Sequence, residues 1–438
     1  MLNRPLLAAS MVAAIVVSGR TAALPSADSL VEELLQRRIE RQVETDVLDQ
    51  VERSVEGAIE RTLDEAERVA ERAAPTASDA LAGITEVLPP PGEQFQPDLD
   101  RDGRTVERGA WLVLADRAQA ERLAADGFSV RELRRLDALD RVLLRIEGQE
   151  EPEALRAPGI EVDRNHVYAP VSEGTGVSSP AGSTASTARG LSIGMVDTAV
   201  AVRHEAFRRA AIEQRSFVPY RAPRPTAHGT AVASILVGEG PALRPALPDA
   251  RLRAASVFFE DDTGSSIATA ASLVQALDWL AGSGVRVINM SLAGPPNRVL
   301  EAAIQGVAAK GIVVVAAVGN NGPAGEPLYP AAYATVVGIT AVDSADRVYV
   351  RAGRGRHVAF AAPGVAVEVA RAEGGYEAES GTSMAAPIAA AILARALAAP
   401  GSSPASVLRA ARATAIDLGE PGFDETYGHG RISASGPR

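Results

Sequence analysis

The chain of 438 residues has no cysteine, only 4% aromatic residues and five histidines. The missing cysteine excludes disulfides, thiol catalysis, cysteine-ligated metal and an N-terminal lipoprotein anchor. Positive charge is in deficit: 44 Lys and Arg stand against 55 Asp and Glu, a net charge of −11. Nucleic acid is therefore not an expected partner, because phosphate binding draws on clustered basic side chains. Long apolar runs are scarce too. The one candidate, Pro5 to Gly19, follows Asn3-Arg4 and is followed by Ala22-Ala23. At about 15 residues it falls short of the ~20 that span a bilayer as a helix. It reads as a signal peptide over residues 1–25, removed on export. The expected location is secreted or periplasmic, with no membrane span once the signal is gone.

What the chain does contain is a serine set among tiny residues, Gly381-Thr382-Ser383-Met384-Ala385-Ala386-Pro387. The stretch reads as a turn that opens a helix, where free backbone N–H groups point at developing negative charge. A serine hydroxyl needs a base, and the base needs a third group to orient it. Of the five histidines, His228 sits in His228-Gly229-Thr230-Ala231-Val232-Ala233, again a turn opening a small-residue helix. Asp197 ends the apolar run Leu191 to Val196, and the C-terminal end of a buried parallel strand is where open α/β sheets place their sites. The chain order is Asp, His, Ser. The alternatives are ordinary ones: a helix-cap serine, a structural histidine and a turn-capping aspartate.

These three blocks, in this order, resemble the catalytic domain of the subtilisin-like serine proteases from about Gly190 to the C-terminus. Two further blocks are similar to the same family. Ile288-Asn289-Met290-Ser291-Leu292-Ala293-Gly294 resembles the strand and loop beside the P1 pocket, which makes Ser291, Leu292, Ala293 and Gly294 one substrate edge. Val313 to Gly322 resembles the strand that ends in the oxyanion-hole asparagine, which maps to Asn320, a position a plain turn residue could also fill. Thr263-Gly264-Ser265-Ser266 resembles the opposite substrate edge, with Gly264 in it. The resemblance implies a nucleophile at Ser383, a general base at His228, an orienting Asp197 and an oxyanion donor at Asn320. It also implies protein or peptide substrates bound as an added strand. One departure stands out. Ala199 follows Asp197-Thr198 where relatives carry glycine, which would require a different loop if that position needs φ > 0.

The rest of the chain divides by composition. Residues 26–92 hold a charged stretch with Leu35, Ile39, Val43, Val47, Val51, Val55, Ile59 and Leu63 four apart, then the stiff Leu88-Pro89-Pro90-Pro91-Gly92. A step of four winds the stripe around a helix, so a solvated spacer or a helix that binds a partner is expected at 26–74. Residues 93–170 read as β-α-β-β-α-β, the split βαβ arrangement. The strands are 111–115, 128–133, 139–146 and 160–162, and the helices 117–126 and 150–157. This module resembles the family's inhibitory prodomain, and its ending, Glu161 to Pro170, the tail that lies in the active site; a separate ferredoxin-like binding module is the rival. Residues 171–189, rich in Ser, Gly and Thr, form a linker where self-cleavage is expected, and residues 190–438 the catalytic domain.

The fold expected is α/β, a subtilisin-like three-layer domain with a mainly parallel sheet, preceded by the small α+β ferredoxin-like module and the helical region. The function expected is a secreted serine endopeptidase made as a self-processed zymogen. The rivals are a protease dedicated to one partner and an idle homologue that only binds. No cofactor is needed for such catalysis. Structural calcium is a family property without a locatable site here. Glu260-Asp261-Asp262 could bind it, or form a solvated acidic turn. His204, His357 and His429 are expected to be structural or exposed, and His166 in the tail could sense pH.

Overall fold

The structure is a computed structural model, and it describes residues 94–125, 130–148, 159–171, 188–241 and 243–433. These belong to one compact unit spanning Ala82–Arg438. The expected signal peptide, the helical stripe at 26–74, the helix at 150–157 and most of the linker lie outside the described residues. Among the described residues, no helix is long and apolar enough to cross a membrane.

The N-terminal part is an α+β module. Strands β1 (Pro97–Leu99) and β2 (Thr105–Ala115) lead into helix α1 (Arg117–Ala125), then β3 (Val130–Leu136), β4 (Arg141–Glu147) and β5 (Glu161–Pro170). The antiparallel order is β3-β4-β2-β5, as the split βαβ pattern expects. Period-2 alternation gives each sheet face its own core. Val113, Ala115, Val142, Leu144 and Val162 pack with Leu123 of α1, while Leu112, Leu114 and Leu143 face the larger domain. β5 differs most from expectation: it spans ten residues where only 160–162 read as strand.

The larger domain contains β6 (Ser192–Asp197), β7 (Ala211–Ser216), α2 (Ala227–Val237), β8 (Arg251–Ser256), β9 (Phe259–Glu260), β10 (Ser266–Thr269), α3 (Ala270–Gly282), β11 (Val287–Met290), β12 (Leu292–Ala293), α4 (Arg298–Ala309) and β13 (Val313–Ala317). They are followed by β14 (Val336–Val342), β15 (Val358–Pro363), the β16 (Val367–Ala370) and β17 (Tyr376–Glu379) hairpin, α5 (Thr382–Leu397) and α6 (Pro404–Thr414). Seven strands form a sheet in the order β15-β14-β13-β11-β6-β8-β7, and every pairing in it is parallel. Apolar runs such as Val313–Ala317 suit strands buried on both faces: Val313 and Val315 join the core with α2 and α5, Val314 and Ala316 the core with α3 and α4. β6 sits where the strand order reverses, the place where open α/β sheets put their sites.

The module docks on α3 and α4 by sealing their ends. Asn165 Oδ1 accepts from Ala271 N at 3.0 Å, and Asp163 Oδ2 from Arg298 N at 2.8 Å, so tail side chains satisfy open N–H groups in the first turns of both helices. In return Asp278 of α3 accepts from Leu139 N at 3.0 Å, and burial pushes its carboxyl above the usual range.

Candidate active site

The C-terminal edge of the sheet gathers the four residues singled out from sequence. Asp197 ends β6 and is fully buried. Its Oδ1 accepts from Thr198 N and from His228 Nδ1, both at 2.7 Å. His228 is the second residue of α2, and the next N–H, on Gly229, donates to Thr198 Oγ1 at 2.6 Å. That bond locks the histidine turn onto the aspartate loop. The approach is close enough that a methyl on Gly229 would collide with the Thr198 carbonyl, so the glycine of that block is a spatial requirement. Ala199, by contrast, lies outside the left-handed region and is accommodated as alanine.

Ser383 is the second residue of α5 and fully buried, with no partner for its Oγ. Gly381 before it is extended, at φ 160°. Its role is clearance: an added Cβ would stand 2.9 Å from Asn320 Nδ2 and 3.3 Å from Ser383 Oγ. Asn320 follows β13, and its Oδ1 accepts from Thr382 N and Thr382 Oγ1, each at 3.1 Å. Those bonds fix which end of the amide faces the serine and leave Nδ2 buried without a partner.

A second network supports Ser383 from below. Pro387 lies inside α5 and has no N–H to give the Ser383 carbonyl four residues back. Ser291 Oγ donates to that carbonyl instead at 3.0 Å, and Asn289 Nδ2 donates to Ser291 Oγ at 2.9 Å.

The tail strand β5 runs into this site. Leu292 and Ala293 of β12 pair antiparallel with Pro170 and Ala169, and Ala268 and Thr269 of β10 pair antiparallel with Tyr168 and Val167. Val171 N donates to Ser291 O at 3.2 Å, and the Val171 carbonyl stands 3.2 Å from His228 Nε2. Both imidazole nitrogens thus face acceptors, an arrangement satisfied in full when both carry a proton. Burial alone would lower the His228 pKa, but the charge and hydrogen bond of Asp197 outweigh it, and the net shift is upward.

The sequence model for peptidase S8, described as the subtilase family, matches residues 188–430. The chain belongs to the subtilase family. Subtilisin DY of Bacillus licheniformis is 32% identical over 252 residues, covering 56% of this chain and 89% of that protein. The minor extracellular protease Epr of Bacillus subtilis (strain 168) is 31% identical over 210 residues, covering 47% of this chain. The chain spans only 32% of the length of Epr. Among solved structures, fervidolysin from Fervidobacterium pennivorans, described as a keratinolytic enzyme related to subtilisin, matches with a TM-score of 0.64 at 20% identity. That match covers 80% of this chain and 64% of fervidolysin, more of this chain than residues from 188 onward can supply, so the fold likeness extends upstream of the family segment.

Within this subtilase, Ser291, Leu292 and Ala293 line the tail, and Gly294 lies against the Tyr168 ring. Gly264 does not reach the tail. It is exposed at the tip of the β9–β10 turn with φ +77°, and the residues that pair with the tail are Ala268 and Thr269, four and five residues further on. Thr269 caps α3, its side chain accepting from Ser272 N, so the chain stays extended up to the helix start.

Asp261 Oδ1 accepts from Thr263 N, Thr263 Oγ1 and Ser265 N, so one carboxylate oxygen of the acidic triplet closes its own turn. Among the described residues, no group of three or more His, Asp or Glu stands close enough together to hold a metal ion. His204 is buried, accepts from Ala206 N and contacts the Gly375 carbonyl, tying the loop after Asp197 to the β16–β17 hairpin. His166 is buried between Asp100 at 3.0 Å and Asn297 at 2.9 Å. Sequence reasoning missed Glu379, which ends β17. Burial raises its pKa, and its charge acts on His228. No local motif marks it; only its place four residues before Ser383 could have drawn attention.

Proposed function

We propose that the chain is a secreted serine endopeptidase, made as a zymogen that cuts its own chain after Val171 and is held by the module at 94–171. The observation that carries this is the Val171 carbonyl on His228 Nε2, beside a buried Ser383 hydroxyl and the open Asn320 Nδ2.

In the reaction, Ser383 Oγ attacks a peptide carbonyl carbon, and its proton passes to neutral His228 at Nε2. Asp197 holds the Nδ1–H tautomer and stabilises the imidazolium that forms. Negative charge on the carbonyl oxygen is met by Asn320 Nδ2 and the N–H groups at the start of α5. Collapse breaks the C–N bond, and His228 returns the proton to the leaving amine. Water, deprotonated by His228, then attacks the acyl-enzyme, and Ser383 leaves with the proton. No step needs a cofactor. The tail pairs antiparallel with both edges, as an extended substrate adds a strand to a sheet. With Val171 O on Nε2, the base is occupied, which suits a bound inhibitor or product.

The test is intact mass and N-terminal sequence of the purified chain beside its Ser383→Ala variant. Wild type alone should start at Ser172 in its larger fragment, and wild type alone should take a fluorophosphonate label. If both chains keep the Val171–Ser172 bond and neither is labelled, the reading fails.

A further inference from the structure

Ser383 Oγ has no hydrogen-bond partner among the described residues, so its place relative to His228 is set by the scaffold. One half of the site is locked to itself by the bonds of Asp197 to His228 and of Gly229 to Thr198. Ala201 N, in the loop after Asp197, adds a bond to Thr230 Oγ1 at 2.9 Å, two residues beyond His228. The other half is locked by the bonds of Thr382 to Asn320. The chain enters Ser383 from β17, so the β16–β17 hairpin acts as a lever on the serine.

That hairpin is held against the Asp–His half at its base and at its tip. At the base, Ala370 N donates to Ser234 Oγ of α2 at 3.0 Å. At the tip, His204, seven residues after Asp197, meets Gly375 and Tyr376, eight and seven residues before Ser383. Its buried ring stands edge-on to Tyr376 at a centroid distance of 5.6 Å. Nδ1 accepts from Ala206 N at 3.0 Å, which leaves the ring proton on Nε2, and Nε2 donates it to the Gly375 carbonyl at 3.1 Å. Gly240 keeps the approach clear, since a Cβ there would stand 2.7 Å from the Tyr376 hydroxyl. A histidine that only capped its own turn would use Nδ1 alone; here Nε2 and the ring both engage the hairpin.

Resting on the protease reading above, we infer that His204 is a positioning residue for the Ser383–His228 pair. Its Nε2 bond to Gly375 fixes the hairpin, and through it Ser383, relative to His228 and Asp197. Attack is steep in distance, and a misplacement of about 1 Å costs about a hundredfold in rate. Loosening the tip should therefore lower kcat and leave KM unchanged, because β10 and β12, which pair with the tail, take no part in the contact.

Two variants separate the two ring nitrogens. His204→Asn keeps an acceptor for Ala206 N and is too short to reach Gly375. His204→Gln extends an N–H to Gly375 and lacks the acceptor for Ala206 N. Each processed enzyme is assayed on Tyr-Ala-Pro-Val p-nitroanilide, with active sites counted by end-point fluorophosphonate label. His204→Asn should lose about ten- to a hundredfold in kcat at unchanged KM, and His204→Gln should stay within about threefold of wild type. Urea midpoints in the Ser383→Ala background should fall for both variants, so stability does not order them. The inference is overturned if His204→Asn keeps wild-type kcat, if KM rises in step, or if His204→Gln falls as far. Where the His204 variants do not fold, Ser234→Ala opens the base anchor and should lower kcat about tenfold at unchanged KM; wild-type kcat there also overturns the inference. Wild type that leaves this peptide uncut would instead mark the failure of the protease reading.

Discussion

The support beneath Ser383 gives a quantitative test. Ser291 is fully buried, and its hydroxyl serves two groups: it donates to the Ser383 carbonyl and accepts from Asn289 Nδ2. Ser291→Ala strands both. A buried polar group that loses its partner costs about 1–3 kcal/mol, so the substitution should cost about 3 kcal/mol in all. The carbonyl depends on Ser291 only because Pro387 has no N–H. Pro387→Ala supplies an N–H four residues on, at the spacing of a regular helical bond. In the Pro387→Ala background, Ser291→Ala should therefore cost about 1–2 kcal/mol less. The assay is urea unfolding of the four-member cycle built on Ser383→Ala, which prevents self-digestion. Residues in one network show coupling well above the ~0.5 kcal/mol scatter of independent sites. Additive costs within that scatter, or a Ser291→Ala cost below about 1 kcal/mol, would refute the reasoning.

Three further outcomes follow from the site. Asn320→Ala should lower kcat on peptides by about 10²–10³ with little change in KM, a magnitude borrowed from the oxyanion asparagine of a subtilisin; an equal fall in affinity would instead mark Asn320 as a ground-state contact. Glu379→Gln removes an anion that helps to raise the His228 pKa, and His228 must be neutral to take the serine proton. The acid limb of kcat/KM should therefore move to lower pH, and an unmoved limb would disconnect Glu379 from the base. Asn165→Ala opens the Ala271 N–H at the start of α3 and strands Glu107 Oε2, so the cut enzyme should shed its module sooner and lose its lag in peptide hydrolysis; an unchanged lag would place the grip elsewhere.

The candidate site was legible because its constraints are local. Gly229 and Gly381 are glycines because Thr198 and Asn320 come too close for a side chain, and such residues stand next to the chemistry in the sequence. The parallel strands announced themselves as continuous apolar runs, since both of their faces are buried. What local pattern could not show was pairing across distance. β5 contains Asp163, Arg164, Asn165 and His166, a polar run that does not read as a strand. It is extended because β2 pairs one part of it and β10 and β12 the rest. The tail's second partner was hidden for the same reason: turn chemistry is visible in Thr263-Gly264-Ser265, whereas the pairing of Ala268 and Thr269 depends on β5, about 100 residues upstream. Glu379 was missed because the burial that raises its pKa is a property of the fold alone.

That distant pairing also separates cutting from release. On the proposed reading, hydrolysis breaks one bond, Val171–Ser172, at the very end of the tail. The ladders of β5 with β10 and β12, the Tyr168 hydroxyl's bond to the Pro295 carbonyl, and the caps on α3 and α4 all lie on the upstream side and survive the cut. The new carboxylate gains charge at a position already facing His228 Nε2, and an anion beside the imidazole favours its protonated form. Cutting therefore strengthens the contact that occupies the base, and the enzyme turns over other chains only once the module departs.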